Sequence, residues 1–364
     1  MAKFCIFCGC PPIDKNKEHV VPHWLIKATG NPNRKAWFGF VFSAQEQTKD
    51  REFAFDQFTF PACEKCNDKY SALESKVQKI FTTILDEGKI NSTEATYMLD
   101  WFDKVRVGLW LGFNQLDKNL YEVEPNFHIE RRIGQYDRIL IIEKTDYKEK
   151  RLGFAGVNTP AFAYTPSAFS LSVNQYCFTN ISYNFLFARR IGFPYPDKLE
   201  MIPDRNELQC NIMPARCRVM NPLIQRHIKE VGTVIYQPMF PQGLMSEKSS
   251  EYNNQYVKEK SIDFESGIGR IFLHCEDEKP YWIDDDEEFF LTPKTIQHGH
   301  QQHIKAAINI SEWQNWLNND NFSVDQLDSE SRKFVRSRQN MAKKINNILI
   351  DHHQNLLKKY GYSQ

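Results

Sequence analysis

From residue 67 to about residue 85 apolar side chains return every third or fourth position. Tyr70, Leu73, Val77, Phe81 and Ile84 form one stripe, the pattern of an amphipathic helix. Asn67, Ser71 and Glu74 share the neighbouring face, and Gly88 is placed to end the helix. Ser92-Thr93-Glu94-Ala95 reads as the cap of a second helix reaching about residue 113, with Met98, Trp101, Phe102, Val105 and Leu109 inside. Upstream, Phe53, Phe55, Phe58 and Phe60 nearly alternate, which predicts one strand with an irregular step, ended by Pro61. Between residues 121 and 241 short apolar runs punctuated by Pro and Gly predict strands. Arg138 to Glu143 is the clearest, followed by 152–155, 169–173 and 183–187, as in an antiparallel sheet with helices to one side. Residues 242–262 are polar and read as a mobile loop or linker, and 268–275 as a short β piece. The chain ends in a long helix over about 324–360, with Phe334, Met341, Ile345, Ile348, Leu349 and Leu356 at helical spacing. The fold class is therefore α+β.

The 364 residues suffice for two or three domains, and a hydrophobic fraction of 41% with 25% charged is ordinary for a globular chain. Net charge is zero, so no global basic field advertises nucleic acid. The charge is nonetheless uneven. In the last 34 residues Arg332, Lys333, Arg336, Arg338, Lys343, Lys344, Lys358 and Lys359 face one acid, Asp351, making the terminal helix the best candidate for phosphate-backbone contact. An acidic patch at 276–288 reads as a solvated loop, and could cover a basic surface when nucleic acid is absent. No apolar signal region precedes the first Cys pair, and no run of about eighteen apolar residues exists. The expectation is a cytoplasmic protein, where paired Cys favour metal over disulfide.

Four of the nine Cys fall in two CxxC pairs, Cys5-x-x-Cys8 and Cys63-x-x-Cys66. Two such pairs far apart in sequence predict a closed four-thiolate structural Zn²⁺ site, which leaves no position for substrate. Cys10 could replace Cys8, though the Cys5–Cys8 spacing is better. Between the pairs lies Glu18-His19-Val20-Val21-Pro22, and Asn67 directly follows the second pair. His298-Gly299-His300-Gln301-Gln302-His303 has no neighbouring Cys or acid at ligand spacing and reads as a solvated polar turn.

The constellation Cys5-x-x-Cys8, Glu18-His19-Val20-Val21-Pro22 and Cys63-x-x-Cys66-Asn67 resembles the HNH endonuclease family over about residues 1–80. The resemblance implies a ββα-metal site clamped by zinc knuckles over residues 1–90. An α+β accessory region over 91–364 would serve recognition, regulation or assembly as a homo-oligomer or with a regulatory partner. It implies a phosphodiester hydrolase acting on DNA, in a prokaryotic defence, mobile-element or phage setting. His19 would be the general base, its ordinary pKa near 6.5 suiting that work. Glu18 and Asn67 would hold a catalytic Mg²⁺ or Mn²⁺, with Glu74 a tentative further ligand or an orienting group. His23 is expected to be structural or solvent-facing.

Two departures stand out. The family's middle Asn has no counterpart, since Asp56, Gln57 and Thr59 occupy its usual place. The interval between Cys8 and Cys63 is also long, filled by an aromatic insertion around Trp37 to Phe42. The competing readings are a non-catalytic zinc module that binds nucleic acid or protein, and an RNase built on the same site.

Overall fold

The computed structural model describes residues 4–12, 16–42, 48–54, 59–116, 121, 123, 128–184, 186–188, 191, 195–202, 207–213, 223–226, 233–239, 268–275, 280–285, 287–291, 295–319, 324–325 and 327–361. The expected loop over 242–262, and Asp56 and Gln57, lie outside these residues.

The N-terminal part contains β1 (Asn16–His19), α1 (His23–Ala28), β2 (Lys35–Phe42), β3 (Thr48–Ala54), β4 (Thr59–Ala62) and α2 (Glu64–Leu85). Of the phenylalanine-rich stretch expected as one strand over 53–60, the described residues fall in two strands, and 55–58 lie outside the described residues. β3 stops at Ala54 and pairs with β2, whereas β4 pairs antiparallel with β1. Two antiparallel strands leading into a helix are compatible with a ββα unit. After β5 (Lys89–Asn91) comes α3 (Ser92–Leu116).

Helix α2 ends at Leu85 as expected, but the capping residues on either side of residue 88 each differ from expectation by one position. The left-handed position after α2 belongs to Glu87 (φ 58°), not to Gly88. The Glu87 N–H donates to the Ile84 carbonyl, and the Gly88 N–H to that of Thr83, which is a Schellman closure. Gly88 is required for another reason: a Cβ there would sit 2.7 Å from Thr83 Cγ2. Glu87→Gly should therefore raise stability by about 0.5 kcal/mol. The relief of backbone strain outweighs the largely exposed Lys144–Glu87 ion pair that is lost, and chemical denaturation would read the balance. The cap of α3 is Asn91, not Ser92. Asn91 Oδ1 accepts from the Glu94 N–H at 2.9 Å, and Glu94 Oε2 accepts from the Asn91 N–H at 3.1 Å.

The rest is built on an eight-stranded sheet of β6 (Asp137–Thr145), β7 (Leu152–Ala155), β8 (Ala168–Val173), β9 (Tyr176–Tyr183), β12 (Thr233–Gln237), β13 (Phe272–Cys275), β14 (Tyr281–Trp282) and β16 (Thr295–Ile296). The order is β14-β13-β12-β6-β9-β8-β7, antiparallel throughout, with β16 pairing parallel to β6. The short helix α4 (Pro160–Tyr164) precedes β8, and β10 (Tyr195–Ile202) and β11 (Glu207–Met213) form a separate hairpin. β15 (Glu288–Phe290) pairs with β5. The strand expected over 183–187 ends at Tyr183, and residues 186–188 form a 3₁₀ turn instead. Two helices close the chain, α5 (Gln302–Asn318) and α6 (Ser329–Lys359). Helix α6 starts five residues later than expected because Asp328 caps it, accepting from the Glu330 and Ser331 N–H groups.

Strand β6 shows why its run reads as continuously apolar. Leu140 and Ile142 join the core shared with α2 and α3, while Ile139 and Ile141 face the core that holds Ile310, Trp313 and Leu317 of α5. The layers run α2/α3, sheet, α5, α6, so helices cover both faces rather than one. An aromatic cluster of Phe81, Trp101, Phe102, Phe169 and Phe178 fuses α2, α3, β8 and β9. The same core reaches Cys5 and Phe7, so it crosses residue 90 without a break. Among the described residues no helix is long and apolar enough to cross a membrane.

Candidate functional site

The first Cys pair sits on a turn closed by two backbone bonds, Gly9 N–H to Cys5 O (2.9 Å) and Cys5 N–H to Cys10 O (2.8 Å). Gly9 has φ 77°, and a Cβ there would lie 2.5 Å from His128 Cε1, so both conformation and the close approach of His128 demand glycine. The Ile6 N–H donates to Pro61 O, fastening the turn to the end of β4. One residue on, Cys63 is the extended N-cap of α2 and Cys66 lies in its first turn. The four sulfurs of Cys5, Cys8, Cys63 and Cys66 all lie within 4.8 Å of one another, with Cys8 and Cys63 Sγ 3.9 Å apart. Tetrahedral Zn–S bonds of about 2.3 Å would set sulfurs about 3.8 Å apart, so this set could hold a metal ion such as zinc. Cys10 is exposed and outside the group, which decides for Cys8.

The electrostatics point the same way. Burial pushes the Cys66 thiol up, and the Cys5 charge adds to it. Cys5 is held below its ordinary value: burial opposes this, but backbone N–H groups of Cys8, Cys63 and Phe7 outweigh it. Four thiols so close cannot all ionise unless a cation joins them.

Beside this centre, β1 and β4 pair with Glu18 opposite Phe60 and His19 opposite Thr59. Thr59, one of the three residues standing at the place of the family's middle Asn, is thus the cross-strand neighbour of His19. Successive strand residues leave opposite faces. Glu18 turns inward, 7% exposed, while His19 ends the strand half-buried, its ring 6.3 Å from that of the exposed His23. Val20 then packs on Gly108 of α3, where a Cβ would meet Val20 Cγ1 at 2.8 Å. That close approach brings Lys104, one turn earlier on α3, to Glu18.

Lys104 Nζ donates to Glu18 Oε1 at 2.5 Å and to Glu74 of α2, with Phe7 beneath it at 5.9 Å from the ring centre. Lys104 is 1% exposed. Burial pushes the Glu74 carboxyl up, and the Lys104 charge works against that rise. Glu18 and Glu74, which lie apart in sequence, are brought together, but through an ammonium. Asn67 lies half-buried in the first turn of α2, next to Cys66, its N–H donating to Cys63 O. The 298–303 segment is not wholly a solvated turn. Gly299, Gln301 and Gln302 are buried, and Asp146 accepts from the His298 and Gly299 N–H groups. Among the described residues only the four Cys form a group of potential metal ligands.

Lys104 escaped the reading of the sequence. The signal was present: Asp100, Asp103, Lys104 and Arg106 interrupt a helix that is otherwise apolar over residues 98–113. Compared with protein-family models, curated proteins and solved structures, the chain matches none of them.

Proposed function

We propose that the protein is an HNH-type phosphodiester hydrolase acting on nucleic acid, DNA in the first instance, with His19 as general base and zinc as a structural staple. The observation that carries this reading is the placement of His19. It ends a strand whose partner, β4, runs directly into the second Cys pair and the first turn of α2. In this reading His19 takes a proton from a water molecule, the water oxygen attacks phosphorus, and the bond to the 3′ oxygen breaks.

The Mg²⁺ or Mn²⁺ expected at Glu18 and Asn67 is a separate matter. Two of the three oxygen donors named for it, Glu18 and Glu74, already hold Lys104. The set does not fit a divalent ion unless that ammonium moves. The same pairing favours the second reading, a zinc module without catalysis in which Glu18 is purely structural.

Incubating the full chain with plasmid DNA and single-stranded RNA, with Mg²⁺, Mn²⁺ or EDTA, separates the two. Nicking should fall by about 10²-fold or more in His19→Ala while the unfolding temperature stays put. Cleavage equal to wild type in that variant would remove His19 from the chemistry, and no cleavage by the wild type under any condition would favour the binding module.

A further inference from the structure

A second polar site lies on the other side of α3. A cavity of about 160 Å³ is lined by Arg106, Arg132, Tyr136, Thr165, Ser182 and Tyr183, among others. Arg106 is 2% exposed and is held by Asp103 (2.7 Å) and Asn180, yet its Nε has no hydrogen-bond partner. Ser182 of β9 is 4% exposed, and its Oγ is likewise unpartnered. The Asn180 amide nitrogen next to Arg106 completes the set of unmatched donors. Arg132 lies across the cavity, its guanidinium 4.7 Å from the ring centre of Tyr136.

Three donor groups removed from solvent with nothing to receive them are costly, on the order of 1–3 kcal/mol each when left so. All three can donate, and none is an acceptor alone. Two guanidinium groups share the wall; burial pushes the Arg106 guanidinium down, its Asp103 partner opposes that, and the charge of Arg132 adds to the lowering. A cavity that offers donors and positive charge is matched by an anion with several acceptor oxygens. At about 160 Å³ it has ample room for a tetrahedral oxyanion and water around it.

We infer that this cavity binds a phosphate-type oxyanion, received by Arg106, Arg132 and Ser182. The source is either free phosphate or the phosphate end of a larger molecule whose body stays outside. The site is distinct from His19, but both hang on α3, because Lys104 reaches Glu18 from the helix that presents Arg106.

The test uses the full chain, with thermal unfolding and titration calorimetry in phosphate, sulfate or chloride at constant ionic strength. Phosphate and sulfate should raise the unfolding temperature saturably, and chloride should not. Arg132→Gln should weaken phosphate binding tenfold or more. Ser182→Ala provides a control against misfolding. It deletes an unmatched hydroxyl, so the ligand-free variant should unfold at the wild-type temperature or above while binding phosphate several-fold more weakly. Adenosine monophosphate tests the source. Tighter binding than inorganic phosphate identifies a phosphate on a larger body, and equal or weaker binding identifies the free anion. If the oxyanions stabilise no more than chloride, or both variants respond like wild type, the cavity holds water only and the inference fails.

Discussion

Cys66→Ser is expected to release bound metal and to lower stability by on the order of 3 kcal/mol or more, whereas Cys10→Ser should do neither. The size of the effect follows from where the centre sits. Cys5 and Cys66 are buried in the same core as Phe7, Tyr70, Val77 and Phe81, so freeing the turn that carries Cys5 opens the end of the main hydrophobic layer. The stacked rings of Phe7 and Tyr70, 4.0 Å apart, would be first to separate. Elemental analysis should find one zinc per wild-type chain and about none in the variant, and thermal unfolding should show the loss. Acid should act in the same direction, because a thiolate must give up its metal to take a proton. A wild-type chain purified without oxidative damage to its thiols and carrying no stoichiometric metal would sink the assignment.

The parts of the fold that were legible are those with one dominant period. Helix α2 and strand β6 were readable because one has an apolar stripe and the other is apolar on both faces. Helix α5 was not, since the sheet covers one side of it and α6 the other. Its buried residues therefore mix Ile308, Ile310 and Trp313 with Gln302, Ser311 and Gln314, and no clean stripe survives. Ser311 is satisfied within the helix, by the Ala307 carbonyl, and the two glutamines at long range. The Gln314 amide nitrogen donates to the carbonyls of Gly156 and Ala168, and its oxygen accepts from the Thr159 hydroxyl. The capping residues of the 86–92 turn were placed one position off because the side-chain cap at Asn91 and the left-handed backbone at Glu87 are local choices that composition does not mark. The thiolate set was legible from spacing alone up to the choice between Cys8 and Cys10. Glu18 and Glu74 were singled out as candidate metal ligands, but their shared partner was not, since Lys104 lies 86 and 30 residues away from them.

That partner carries the largest remaining prediction. Lys104→Met would leave Glu18 and Glu74 facing each other at side-chain exposures of 10% and 18% with no cation between them. Removing one member of a buried ion pair typically costs about 3–5 kcal/mol, because the remaining charge is neither hydrated nor paired. The cost should depend on pH in a defined sense. Burial already raises the Glu74 carboxyl and Lys104 opposes that rise, so without Lys104 the folded-state value climbs further above the unfolded one. A carboxyl raised in the folded state stabilises below its unfolded pKa and loses that contribution as pH rises. The variant should accordingly be most impaired at neutral pH and approach wild type as pH falls toward about 4. A Glu18→Gln/Glu74→Gln background should make Lys104→Met far less costly, which separates charge from packing by a double-mutant cycle. Equal costs in both backgrounds, measured by denaturant unfolding, would mean that Lys104 acts through its aliphatic stem. If the cost is electrostatic, the variant also frees the Glu18 and Glu74 carboxylates for a divalent ion. Tighter Mn²⁺ binding by Lys104→Met than by wild type would then identify this ammonium as the cation that occupies the place of a metal.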